Sequence, residues 1–163
     1  MKQLPARVGP RPTTTDTNPH SQLDQNPSAA LIEDLAAGLF GFEGVREGPS
    51  AISVPGARAA WLDRALARGP QEAFLIGTEF AHIHPLPDGS LHAALPPELA
   101  EEAISAGWAE VHPVARRGLI PMNVVMLYAP RSKEELEVVL GLLEASHQFA
   151  LGASGSADNH DLI

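Results

Sequence analysis

The sequence predicts an α+β fold, an antiparallel sheet with helices packed on one face. Strand-like runs come clustered between helical ones instead of alternating with them one by one. A hairpin signal, Pro87-Asp88-Gly89, sits mid-chain between apolar-alternating segments. With 163 residues, 44% of them hydrophobic, the chain suits one domain with a real core.

Residues 1–27 hold five prolines, a Thr13-Thr14-Thr15 run and few large apolar side chains. Burial there cannot offset the entropy of ordering, so a disordered arm is expected. Ser28 is a plausible N-cap for a helix with Leu31, Ile32, Leu35, Leu39 and Phe40 at helical spacing, closed by Gly41. Residues 51–54 read as a strand, Pro55-Gly56 as a turn, and 59–67 as a short helix with Trp61, Leu62 and Leu66 inward. Residues 73–76 read as a short apolar strand. Pro96-Pro97 open a helix carrying Leu99, Ala103 and Ile104, stopped by Gly107. Residues 124–128 form a buried strand. Ser132 and Glu135, at capping-box spacing, start a last helix through Leu136, Val139, Leu140 and Leu143 to Phe149. The folded unit is therefore placed at 28–150, and 151–163 is expected to be a flexible tail.

Eleven Lys and Arg against 20 Asp and Glu give a net charge of −9, which argues against nucleic acid or an anionic membrane surface as partner. The absence of cysteine removes disulfides, thiol catalysis and Cys-based metal sites, leaving His, Asp and Glu as metal donors. No apolar run approaches the roughly 18 residues of a membrane span. The start, Met1-Lys2-Gln3-Leu4-Pro5-Ala6-Arg7, lacks a secretory apolar stretch, so a cytoplasmic protein is expected.

The informative stretch is Glu79 to Leu95. A three-residue loop at 87–89 pairs Leu86 with Ser90, His84 with His92 and His82 with Ala94. Alternation then gives Ala81, Ile83, Leu91, Ala93 and Leu95 to a core face, and His82, His84 and His92 to the other. Three imidazoles so placed could clamp a divalent metal, with His112 or Glu79 as a further ligand, or act as bases and hydrogen-bond donors. The plain alternative is three rings on a solvated sheet face. No Lys or Arg lies between Gly69 and Ala115, so no fixed cation there opposes a metal. Arg131, at a strand end, could bind a carboxylate or enolate oxygen, or pair with Glu135. Trp108 is a core filler or a ligand contact, and His112 a site or a surface residue. His147 is surface or packed on the core; His20 and His160 lie in the loose ends and are discounted.

Around these residues the sequence resembles the fungal-luciferase-like domain family. Glu79, Ala81, His82, His84, Asp88, Leu91 and His92 stand at the spacing of that family's Glu-x-Ala-His-x-His, Asp and Leu-His positions. The likeness continues through Gly107-Trp108, His112-Pro113, residues 127–131, Glu134-Glu135, Val138-Val139 and Glu144-Ala145-Ser146, covering about 77–149; the first half matches only loosely. Two features depart from it: a polar Pro/Thr arm where the fungal enzymes carry an apolar segment, and Glu110 where they carry an amide. Fungal luciferases oxidise 3-hydroxyhispidin, an α-pyrone, with O₂, without nicotinamide or flavin. The resemblance therefore implies a luciferase-like oxygenase with O₂ as co-substrate and an electron-rich enol or α-pyrone as small-molecule substrate. One of His82, His84 or His92 would deprotonate the enol. The other imidazoles, with Arg131 or His112, would stabilise the oxyanion. Tyr128 and Trp108 would wall the pocket beside Glu79. The rivals are a metal-dependent hydrolase or dioxygenase with His82, His84 and His92 as ligands, and a non-catalytic binding module.

Overall fold

The computed structural model describes residues 3–153, so the expected tail from 154 lies outside the described residues. Six strands form one antiparallel sheet: β1 (Val45–Pro49), β2 (Arg58–Leu62), β3 (Glu79–Ile83), β4 (Leu91–Ala94), β5 (Ala109–Val111) and β6 (Val124–Leu127). Their order across the sheet is β1-β2-β3-β4-β6-β5. The helices are α1 (Ala29–Phe40), α2 (Pro97–Ser105), the single turn α3 (Pro113–Arg116) and α4 (Lys133–Leu151).

Capping and periodicity account for the long helices. Ser28 Oγ accepts from Leu31 N–H, and Ile32, Leu35, Ala36 and Leu39 bury one stripe of α1. Ser132 Oγ accepts from Glu135 N–H, and α4 ends at Gly152, whose φ of +82° suits a left-handed C-cap. α1 packs on α4, and α4 crosses β3 and β4. The core lies between these helices and the sheet, built from Leu35, Leu39, Phe80, Ile83, Leu91, Leu95, Val125, Leu127, Val139 and Leu143 among others. The α+β class and the helix-covered face are as expected.

The first half differs in detail. The strand expected at 51–54 is a series of bends; a strand forms earlier, at Val45–Pro49. Ser50 Oγ and Ala51 N–H both donate to Glu79, which bends the chain away from a ladder. The helix expected at 59–67 is instead strand β2 as far as Leu62, paired with β1 on one side and β3 on the other, followed by a turn. Two ladders override the modest helix preference of an Ala-rich run. Residues 71–73 form a 3₁₀ turn, and the strand expected at 73–76 shrinks to an Ile76–Glu79 bridge.

In the hairpin, His82 pairs with His92 and Ile83 with Leu91, while His84 N–H donates to Ser90 O at 2.8 Å. The expected His84–His92 pairing is thus shifted by two residues, because the loop runs over residues 85–89 instead of 87–89. A shift of two preserves the faces. Ile83, Leu91 and Leu95 enter the core, and the three histidines stay together on the opposite face. Alternation fails at one point. Ala60 pairs with Ala81 but Trp61 with Glu79, a β-bulge that leaves Phe80 as the extra residue. Phe80 turns into the core against His147, and Glu79 turns to the histidine face.

The expectation of a disordered arm must be corrected for residues 3–27. They hold no helix and only one bridge, Thr14–Gln22, yet they lie against the sheet with Leu4, Arg7, His20 and Gln22 buried. Polar contacts hold them where apolar area is scarce. Arg11 donates to Ala109 O (2.8 Å), Gln22 Oε1 accepts from Ala129 N–H (2.9 Å), and Pro5 O accepts from Trp108 Nε1–H (2.7 Å).

Candidate functional site

The bulged β3, its partner β4, β5 and residues 3–27 meet on the face away from α1 and α4. His82, His84 and His92 are 3%, 4% and 6% exposed, so they do not line a solvated sheet face. His82 Nε2 and His84 Nε2 each lie 3.2 Å from His92 Nδ1. The three rings thus converge on one point.

Each ring is held from behind. His82 Nδ1 meets Glu79 Oε2 at 2.8 Å, and the buried Glu79 also accepts from Ser50 Oγ and Ala51 N–H. His84 Nδ1 meets Ser90 Oγ at 2.9 Å, and that hydroxyl donates to Asp88 at 2.5 Å. His92 Nε2 meets His20 Nδ1 at 2.9 Å, and His20 Nε2 meets Glu110 Oε2 at 2.7 Å. Glu110 also accepts from Tyr128 OH and Thr14 Oγ.

Burial dominates the electrostatics. It pushes His84 down to about 3, helped by the neighbouring imidazoles of His82, His20 and His112. It holds His92 well below the ordinary histidine range, again with adjacent rings opposing a charge. His112 falls to about 4 by burial and the nearby imidazoles of His20 and His82. Burial alone would raise Glu110, but hydrogen bonds from His20, Tyr128 and Thr14 outweigh it and keep the carboxyl below its usual value. Burial also lifts the Tyr128 phenol to about 12. Burial thus disfavours the charged form of His84, His92 and His112, which offer lone-pair and N–H positions rather than a cationic patch.

A cavity of about 510 Å³ opens above these rings. His20, His82, His84, His92 and His112 line its polar end; Val54, Phe74, Leu75, Val114, Ile120 and Val124 give it apolar walls. That size and lining suit a small organic molecule. His112 accepts from Val114 N–H at Nδ1 (3.0 Å), which leaves its Nε2 proton for the cavity.

Not every candidate residue reaches this place. His82, His84, His92 and His112 line the cavity and Glu79 backs it. Trp108 is buried with its N–H on Pro5 O, and Tyr128 spends its hydroxyl on Glu110; neither lines the cavity. Arg131 pairs with Glu135 through Nε and Nη2 and also donates to Val8 O, away from the histidines. His147 stacks on Phe42 and bonds Glu43 O inside the core. His20 was missed. Nothing in its polar, proline-rich surroundings signals burial, because polar contacts fix that segment.

Fold and site together define a six-stranded α+β domain with a histidine-lined cavity. Residues 77–146 match the Luciferase domain family. The chain is similar to the luciferases of Armillaria gallica and Armillaria mellea, each 31% identical over 161 aligned residues, covering 90% of this chain and 60% of the relative. A luciferase of Neonothopanus nambi is 41% identical over 70 residues, 42% of this chain and 26% of the relative. The chain therefore spans about 60% of the length of the Armillaria relatives. No solved structure matches. Among the described residues no helix is long and apolar enough to cross a membrane.

Proposed function

We propose that this chain is a luciferase-like oxygenase that oxidises a small, flat, electron-rich enol or α-pyrone-type molecule with O₂ in the histidine-floored cavity. One observation carries the reading: a cavity with apolar walls is also lined by His82, His84 and His92, whose imidazole nitrogens converge. The walls exclude water from a flat apolar body, and the floor meets its polar edge. Lone pairs there favour the enolate over the enol, by taking the proton or by holding a cation that binds the oxygen. His112 Nε2–H is placed to donate to a developing oxyanion. The enolate is the electron donor and O₂ the oxidant, so no nicotinamide or flavin is needed. The similarity to proteins named luciferases supports a luciferase-like reading of this site.

The test is oxygen uptake by the full chain with a panel of hydroxypyrones and catechol-like enols. Uptake that requires the enol and drops at least about 10²-fold in His84→Ala supports the reading. Binding of the same compounds without uptake would make the protein a ligand-binding module instead.

A further inference from the structure

The convergence of His82, His84 and His92 poses a proton-counting problem. Glu79 accepts from a hydroxyl and a backbone amide, so the short contact to His82 is completed by a proton on His82 Nδ1. Ser90 gives its single hydroxyl proton to Asp88, so its contact with His84 needs a proton on His84 Nδ1. Glu110 takes hydrogen bonds from Tyr128 and Thr14, and its contact with His20 puts a proton on His20 Nε2. His20 Nδ1 is then an acceptor, so His92 donates to it from Nε2. A neutral imidazole carries one N–H and one lone pair. With every ring neutral, the three remaining nitrogens, His82 Nε2, His84 Nε2 and His92 Nδ1, present lone pairs to one another, the first two each 3.2 Å from the third and all within 4.8 Å.

Buried lone pairs facing each other without a donor are unfavourable. Moving a proton to His92 Nδ1 puts a second proton on His20 and still offers only one hydrogen to two facing nitrogens. A single cation satisfies all three. A tetrahedral ion with metal–nitrogen bonds of about 2.0–2.1 Å holds its ligand nitrogens roughly 3.3 Å apart, close to the spacing here.

We propose that His82 Nε2, His84 Nε2 and His92 Nδ1 bind one first-row divalent transition-metal ion, with its open side toward the cavity. Imidazole donors suit such ions, and three histidines with a free position are the pattern of a catalytic centre more than a structural one. Every ligand has the carboxylate backing that metal-bound histidines characteristically show: Glu79 directly, Asp88 through Ser90, and Glu110 through His20. The imidazole that relays Glu110 to His92, His20, comes from residues 3–27, which makes that segment part of the centre. A second trio, His20, His92 and His112, is close enough to hold an ion but fails the same count. His112 Nδ1 is taken by Val114 N–H, and both His20 nitrogens are engaged. The inference rests on the proposed function only in taking the cavity as the side from which further ligands arrive.

The test uses the full-length, untagged protein stripped with a chelator and titrated with Co²⁺, read by visible absorption and by metal-to-protein ratio. One equivalent on wild type is expected. His84→Gln and His92→Gln should weaken Co²⁺ binding at least about 100-fold while His112→Gln keeps it. Glu110→Gln should weaken it about 10–100-fold without changing the stoichiometry. Circular dichroism confirms that each variant is folded, and the wild-type stoichiometry stands without any variant. No stoichiometric uptake by folded wild type, or uptake that depends on His112 and not on His84, overturns the centre. One bound Co²⁺ with no oxygen uptake by any metal form keeps the centre and removes the oxidative reading. Full oxygen uptake by chelated protein that still takes up one Co²⁺ through His84 keeps the centre and shows that the oxidation does not use it.

Discussion

The two faces of the β3–β4 hairpin are held by opposite means. On one, Ile83, Leu91 and Leu95 lie in a predominantly apolar core beneath α1 and α4, where Ser146 and His147 are buried on backbone carbonyls. On the other, His82, His84 and His92 are equally buried, but beneath a segment that brings mostly hydrogen bonds. The core face is stabilised by area, which tolerates substitution by similar shapes. The histidine face is stabilised by partner matching, in which one missing donor or acceptor matters. Burial alone therefore does not mark a core, and chemistry concentrates where buried groups are polar and held by specific partners.

The largest expected effects separate the faces by what they damage. Leu91→Ala removes fully buried apolar volume and should cost about 2–5 kcal/mol of unfolding free energy. If active protein is recovered, its turnover should be near normal. His84→Ala should lower activity at least about 10²-fold, the typical loss of a group acting at the reacting centre. Chemical denaturation of both variants beside an activity assay checks the contrast; a His84→Ala protein with normal turnover breaks it.

Removing residues 3–27 attacks the polar cover as a whole. The body should still fold, because the hydrophobic cluster lies almost wholly in residues 32–150, Leu4 being its contribution from the segment. Activity should fall about as far as in His20→Ala, since both remove the link between His92 and Glu110. Stability should drop by more than about 1 kcal/mol, through loss of the buried Leu4 and of partners for Trp108 and Ala129. Near-identical melting of the truncated and full chains would show that the cover is only laid on.

These contrasts also mark what could be seen in the sequence. The two faces were legible, since period-two alternation separates Ile83 from His84 whatever the loop length, provided the register shifts by an even number. The exact pairing was not, because the loop over residues 85–89 is longer than the turn residues suggested. The bulge at Phe80 was also hidden, as no residue type announces it, so Glu79 could be named a candidate but not aimed. The ends of α1, α2 and α4 were legible through Ser28, Pro97, Gly107 and Ser132. Residues 51–76 were not, because their conformation follows from Glu79 and from two neighbouring strands far along the chain. His20 is the clearest case: its burial comes from contacts across 72 and 90 positions, beyond any local pattern.

His84 and His112, held neutral by burial, give the polar face a pH signature. In metal-free protein His84 titrates at about 3, against about 6.5 in the unfolded chain. Between those values the unfolded state binds more protons, so stability falls as pH falls. From pH 7 to pH 5 the loss from His84 should be roughly 2 kcal/mol, and His112, at about 4, adds to it. Urea titrations at the two pH values check this. His84→Gln should show a distinctly smaller loss, whereas Leu91→Ala should shift both values equally. Identical pH dependence in wild type and His84→Gln would mean that the ring is not held neutral by its surroundings.

The smallest expected effect concerns Arg131. Its guanidinium pairs with Glu135 one helical turn on, is 31% exposed in its side chain, and also donates to Val8 O and Gln25 Oε1 of the covering segment. An exposed pair at this spacing contributes about 0.3–0.5 kcal/mol, and the two contacts to the cover add a similar amount. Arg131→Ala should therefore destabilise by no more than about 1 kcal/mol and leave turnover within about twofold, because the side chain does not line the cavity. Steady-state oxygen uptake on the best enol substrate measures this. A fall of 10²-fold would place the guanidinium on the substrate after all. It would also require the segment over residues 3–27 to move during turnover, since Arg131 is tied to Val8 and Gln25 when that cover is closed. A loss confined to KM, with kcat unchanged, would sharpen the comparison instead: the cover would be positioning the substrate while the histidine floor carries the chemistry.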